Sequence, residues 1–179
     1  MNKTSRYQIF GIPVDAVNMN QSIAFVEQQI SNRSGMACVL AVNPEKIYLI
    51  KGSKFLQDFF NNASLLVPDG IGIVLALRII YGIRVERVPG ADLMQNICAI
   101  APQKKYKIFI YGATETVNQK ACKELEKRYP GIQIVGRMNG FISNQQMPDL
   151  IQKINESEAE ILFVALGSPQ QEQWMNHHI

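Results

Sequence analysis

Five short runs rich in apolar and β-branched residues constrain this chain most: Ala37–Val42, Leu65–Val67, Lys107–Tyr111, Gln133–Val135 and Ile161–Leu166. The longer segments between them carry apolar residues at helical spacing. Runs apolar on both faces suit the central strands of a parallel sheet. Parallel strands need long crossovers, which the intervening helices would supply. The pattern predicts an α/β chain, a Rossmann-like, open, mostly parallel sheet with helices on both faces. Ahead of it, Tyr7–Phe10 and Pro13–Val17 flank Gly11-Ile12 and predict a small N-terminal β-hairpin, followed by a helix over Gln21–Ser31.

Three of the runs end in helix-start signals. Asn43-Pro44-Glu45 offers a capping side chain, a proline at the first helical position and an acid in the first turn. Asp69-Gly70 and Gly167-Ser168-Pro169 follow the second and fifth runs in the same way. In open α/β sheets ligands bind beyond the carboxyl ends of the strands, where helix N-termini point N–H groups at anions, so a phosphate-bearing ligand is the expected guest. With 179 residues, 47% of them apolar, the chain is expected to be a single domain over 1–179.

Composition and motifs narrow the function. A balance of 18 basic against 15 acidic residues, with no block of like charge, speaks against a nucleic-acid partner. The first residues lack the apolar core and cleavage site of a signal peptide. The longest apolar run, Ile71–Ile80, contains Arg78 and is shorter than the ~20 residues a spanning helix needs. A cytoplasmic chain is expected, with the apolar surface of Ile71–Ile83 going into the core rather than into a homo-oligomer. Cys38, Cys98 and Cys122 stand far apart in apolar segments and are expected to be buried thiols, and no metal site is expected. His177 and His178 are expected to be solvated. No phosphate-binding GxxxxGK[ST] loop occurs, and no Asp-x-Asp pair. Gly70-x-Gly72 begins a dinucleotide fingerprint, but Leu75 replaces its third glycine and Asp69 would repel a pyrophosphate.

For the candidate site residues two readings stand side by side. Asp69 and Asn43 are good helix caps, yet both lie on the ligand face, where one could act as a base and the other as a contact. Arg87, in ERVPGAD, could pair with Glu86 or Asp92 in a surface loop, or meet an anion. Gly167 and Ser168 make a bendable strand end, and Gln171 adds a side-chain amide, with Trp174 packed behind them.

Taken together, NPEKI (43–47), PDGIGIV (68–74), RVPGADL (87–93), YGA (111–113), GRMNGF (136–141) and GSPQQEQW (167–174) resemble the WecG/TagA/CpsF glycosyltransferase family, most of all its TagA branch. The resemblance implies a Rossmann-like fold and an inverting transfer that uses no metal or cofactor. It also implies a peripheral enzyme on the inner face of the cell membrane that moves N-acetylmannosamine from UDP-ManNAc to undecaprenyl-diphospho-GlcNAc in wall teichoic acid linkage-unit synthesis. Sister branches would use UDP-ManNAcA or UDP-glucose, and a non-catalytic nucleotide-binding module is a further alternative.

By the same resemblance Asp69 is the general base. Asn43, Arg87, Gln171, Gly112, Ala113, Gly167 and Ser168 would contact substrate. Ala41 stands where relatives often carry Thr, removing a hydroxyl. The chain stops soon after GSPQQEQW, at Asn176-His177-His178-Ile179, so it is expected to lack a membrane-docking tail and to turn over poorly beside a longer form.

Overall fold

A computed structural model describes residues 5–33 and 35–178. Met1–Thr4, at the start of the segment read for a signal peptide, and Ile179, the last residue of the chain-end motif, lie outside the described residues. The chain clusters into two compact units, Met1–Leu93 and Met94–Ile179. The expected α/β class, parallel strands and N-terminal hairpin are all present.

In the first unit the hairpin pairs β1 (Arg6–Ile9) with β2 (Ile12–Asp15), in register from Arg6↔Asp15 to Ile9↔Ile12. Its two-residue turn, Phe10-Gly11, has positive φ at both positions (53° and 83°), matching the twist of the flanking strands. The boundaries lie one or two residues from those predicted. Helix α1 (Met19–Asn32) follows, opened by an Asn18–Gln21 capping box.

Strand β3 (Val39–Val42) leads into α2 (Pro44–Lys51) and α3 (Lys54–Asn61), and β4 (Leu65–Pro68) leads into α4 (Ile71–Tyr81). β3 and β4 pair in parallel, Val39↔Leu65 through Val42↔Pro68. All of β4 is buried, as its two-faced apolar run requires. Ile9, Val14, Ile50, Phe60, Leu66, Ile73, Leu77 and Val88 form the core. Each large apolar side chain removed from water in this way contributes about 1.5–3 kcal/mol.

The hairpin is tied to β4 through a buried acid. The Asp15 carboxylate accepts from Arg6 Nε and Nη2, both at 2.8 Å, and from the backbone N–H of Leu66 at 2.8 Å. Arg6 Nη2 also donates to the Ala63 carbonyl at 3.0 Å. The hydrogen bonds that Arg6 donates to Asp15 raise the Arg6 pKa above its ordinary value, against burial, which lowers it.

Helix α5 (Gly90–Lys104) contains the boundary between the units. In the second unit β5 (Lys107–Gly112), α6 (Glu115–Arg128), β6 (Gln133–Met138), a 3₁₀ turn (Asn144–Gln146), α7 (Met147–Glu156), β7 (Ile161–Ala165) and α8 (Gln170–His178) follow in order. β5 is central, parallel to both neighbours in the order β6-β5-β7. That placement buries Ile108, Phe109 and Tyr111, while the outer strand β7 stays half-buried despite its apolar sequence. Trp174 is buried as expected, its ring 5.0 Å from that of Tyr111 and its Nε1 3.2 Å from the Met147 sulfur. His177 and His178 are exposed. Cys98 and Cys122 are buried and free, while Cys38 is only half-buried.

Three expectations are corrected. The ERVPGAD segment, 86–92, is not simply a surface loop, because Val88 is fully buried and its N–H donates to the Pro68 carbonyl at 2.8 Å. Asp69 does not cap α4. Its own N–H donates to the Val42 carbonyl at 2.9 Å, which continues the parallel ladder one residue past Pro68. Gly70 is therefore the N-cap, with extended backbone and no side-chain cap. The apolar surface of Ile71–Ile83 does not all enter the core: Ile73 and Leu77 are buried, but Ile71, Leu75, Ile79 and Ile80 are exposed.

Candidate functional site

In the first unit two strand-following segments and the stretch that leads into α5 converge. Asn43 caps α2, its side-chain Oδ1 accepting from the Lys46 N–H at 2.8 Å, and Pro44 takes the first helical position. The start of α4 lies hard against that cap. A Cβ placed on Gly70 would stand 2.7 Å from Pro44 Cδ and 3.5 Å from Asn43 Cβ. A Cβ on Gly90 would come within 3.2 Å of the Ala41 side chain. The glycines of PDG and VPG are thus what let the 69–72 and 87–90 segments close on 41–44.

This packing gathers Asn43, Asp69 and Arg87. The Asp69 carboxylate, about one-fifth exposed, receives Arg87 Nη2 at 3.5 Å. The contact is loose and the arginine is half-exposed, so it adds little to stability. It does hold a carboxylate and a guanidinium side by side at the carboxyl end of β4. Because Gly70 brings no side chain to the cap, the first N–H groups of α4 keep their capacity for an anion.

The second unit builds its own turn cluster. Gly112 has φ of 121°, and a Cβ there would collide with the Ala165 carbonyl, so glycine is required where β5 crosses the end of β7. Ala113, also at positive φ (55°), donates to the Ala165 carbonyl at 2.8 Å, and its own carbonyl accepts from Gly140 at 2.8 Å. Gly167 has φ of 78°, and its carbonyl accepts from the Gln171 N–H at 2.9 Å, fixing Ser168 at the entry to α8. Gln171 Nε2 donates to Oε1 of the buried Glu172 at 3.2 Å. Gly112, Ala113, Gly167, Ser168 and Gln171 therefore share the carboxyl end of the β5–β7 pair.

Sequence reasoning missed the group beneath this cluster. The buried Asn118 on α6 donates through Nδ2 to the carbonyls of Ile110 (3.3 Å), Gly112 (2.9 Å) and Met138 (3.1 Å). Arg137 donates to Asn118 Oδ1 at 3.2 Å and pairs with Glu115 at 2.7 Å. One side chain thereby fixes the ends of both β5 and β6. The available signal was an asparagine four residues before Cys122, on the apolar face of α6. Among the described residues, no three His, Cys, Asp or Glu side chains gather closely enough to hold a metal ion.

A carboxylate beside a cation, open helix N–H groups and glycine-shaped backbone turns are means for taking a proton from a hydroxyl and for holding a phosphorylated leaving group. The comparisons with known proteins give the family. The model of the glycosyl transferase WecG/TagA/CpsF family matches residues 7–179. The N-acetylglucosaminyldiphosphoundecaprenol N-acetyl-beta-D-mannosaminyltransferase of Bacillus subtilis (strain 168) is 27% identical over 170 residues, 95% of this chain and 66% of that protein. The proteins of the same name from Staphylococcus aureus (strain MRSA252) and Bacillus spizizenii are 28% and 29% identical, covering 99% and 84% of this chain and 69% and 58% of their own lengths. The chain thus spans between about three-fifths and two-thirds of the curated relatives it matches.

Proposed function

The chain belongs to the glycosyl transferase WecG/TagA/CpsF family, and from that premise we propose that it is an inverting, metal-independent glycosyltransferase. It moves N-acetylmannosamine from UDP-ManNAc to undecaprenyl-diphospho-GlcNAc, as in wall teichoic acid linkage-unit synthesis. The observation that carries this reading is the Asp69 carboxylate, released from helix capping and set 3.5 Å from Arg87 at the open N-terminus of α4. The relatives' shared name, an N-acetyl-mannosaminyltransferase acting on a diphosphoundecaprenol, supports the choice of sugar and acceptor.

In the proposed step the acceptor 4-hydroxyl oxygen attacks the anomeric carbon from the face opposite UDP. The new C–O bond forms as the bond to the diphosphate oxygen breaks, and UDP departs with that electron pair. Asp69 takes the hydroxyl proton. Arg87 and the N–H groups of α4 offset the charge on the leaving diphosphate, the role that exposed helix N-termini and guanidinium groups suit. Asn43 is the proposed substrate contact of the first unit, and Gln171 with the backbone at Gly112, Ala113, Gly167 and Ser168 are those of the second, each described within its own unit. With a lipid-carried acceptor, the proposed enzyme works as a peripheral protein at the inner face of the cell membrane.

Asp69→Asn tests the reading with a short-chain diphospho-GlcNAc acceptor and a panel of UDP-sugars. Transfer from UDP-ManNAc should fall about 10² to 10⁴-fold while UDP binding persists. Undiminished transfer would remove Asp69 from the base role, and preference for another donor would refute the assignment of the sugar.

A further inference from the structure

Helix α4 is apolar on both sides, yet only one side is covered. Ile73 and Leu77 face the core at 2% and 0% exposure, whereas Ile71, Leu75 and Ile79 are 66%, 47% and 80% exposed. Spaced four residues apart, the latter three stack into one ridge along the helix, and Ile80 beside them is 51% exposed. The only charged residue from Ile71 to Tyr81 is the exposed Arg78. The far end of the helix is held firmly, with the Tyr81 hydroxyl donating to the Gln8 carbonyl at 2.9 Å and its ring 4.9 Å from that of Tyr7.

A helix apolar all round is normally buried in protein or in lipid. We infer that the Ile71–Leu75–Ile79 ridge, with Arg78 at its flank, is a surface that docks on an anionic lipid bilayer. Two observations choose lipid over a second copy of the chain. The helix carries a cation and no carboxylate, so a two-fold contact of α4 with itself would bring two Arg78 side chains together without a counter-charge on the helix, whereas an anionic headgroup supplies one. The ridge is also small. A helix of 11 residues is about 16 Å long and roughly 10 Å wide, far short of the ~800 Å² per partner of a stable dimer. Shallow insertion into a bilayer interface needs no matching surface.

The inference rests on the proposed function in one respect, the lipid-carried acceptor. α4 begins two residues after Asp69, so docking its ridge would bring the element that follows the candidate base to the surface where such an acceptor resides.

The test is flotation of the chain with phosphatidylglycerol-containing vesicles and with neutral phosphatidylcholine vesicles. The unaltered chain should float with the former. Leu75→Glu/Ile79→Glu, both at exposed positions, should reduce partition at least about tenfold with an unchanged circular dichroism spectrum. Arg78→Gln should retain weak binding but lose the preference for phosphatidylglycerol. Vesicle binding unaffected by the double substitution would overturn the proposal. So would a monomer–dimer equilibrium, followed by sedimentation, that the double substitution abolishes in a chain that does not bind vesicles. Asp69→Asn should float like the unaltered chain, and the double variant should keep its transfer rate toward a water-soluble acceptor. Loss of transfer and loss of docking are in this way separately readable.

Discussion

Gly70→Ala isolates the packing that brings Asp69 to Asn43. Gly70 has φ of −141° and ψ of 142°, a region open to any residue, so alanine meets no backbone penalty there. The obstacle is steric. The new Cβ would lie 2.7 Å from Pro44 Cδ, whereas carbon atoms settle near 3.5–4.0 Å, so the two segments must separate by about 1 Å. Pro44 cannot turn aside, because its ring is closed onto the backbone at the first position of α2.

Overpacking of this kind costs about 1–3 kcal/mol. A displacement of about 1 Å between catalytic and binding groups lowers turnover by on the order of 10²-fold. Urea unfolding and the transfer assay report these separately. Gly72→Ala is the comparison: its Cβ meets a single ring atom of Pro44 at 3.0 Å, a milder clash, and alanine is favoured over glycine within a helix by up to ~1 kcal/mol, so both losses should be smaller than those of Gly70→Ala. If Gly70→Ala unfolded and turned over like the unaltered chain, close approach would not be the reason for this glycine.

Two further predictions concern stability. Asp15→Ala should destabilise the chain by about 2–4 kcal/mol, since it strands a partly buried guanidinium and the buried Leu66 N–H, and a loss below ~1 kcal/mol in denaturant unfolding would refute that account. Burial pushes the Cys98 thiol up to about 11 from an ordinary 9.0. The folded chain then keeps a proton that the unfolded chain gives up, so this stability is fully present below about pH 9 and is lost as pH rises toward about 11. The urea midpoint should fall across that range, less steeply in Cys98→Ala; parallel falls would refute the assignment.

What could be read from sequence follows the range of the forces involved. Asn43-Pro44-Glu45 was legible because a cap is made within four residues, and Asn43 accepts from Lys46 as predicted. Asp69 carries the same local signal but does not cap, because a non-local bond to Val42 keeps its backbone in the sheet and moves the cap to Gly70. Asp15 gave no signal at all, since its partner Leu66 is 51 residues away. Asn118 shows the intermediate case, a polar residue on an apolar helix face whose partners appear only when β5 and β6 meet. The ridge on α4 was expected in the core and is exposed instead, because a run apolar on nearly every side contains no periodicity to say which side is covered.

The bond from Leu66 to Asp15 also bears on solubility. Among the described residues β4 has a strand neighbour on one side only, β3, and a free strand edge is a template for pairing with another molecule. Here the Asp15 carboxylate occupies the Leu66 N–H, the Val88 N–H occupies the Pro68 carbonyl and Arg6 covers the Ala63 carbonyl just before the strand, so groups that a foreign strand would seek along this edge are already engaged. The ion pair therefore acts as a stopper against intermolecular sheet growth. Its loss should appear first as concentration-dependent aggregation, before any change in the chain's secondary structure.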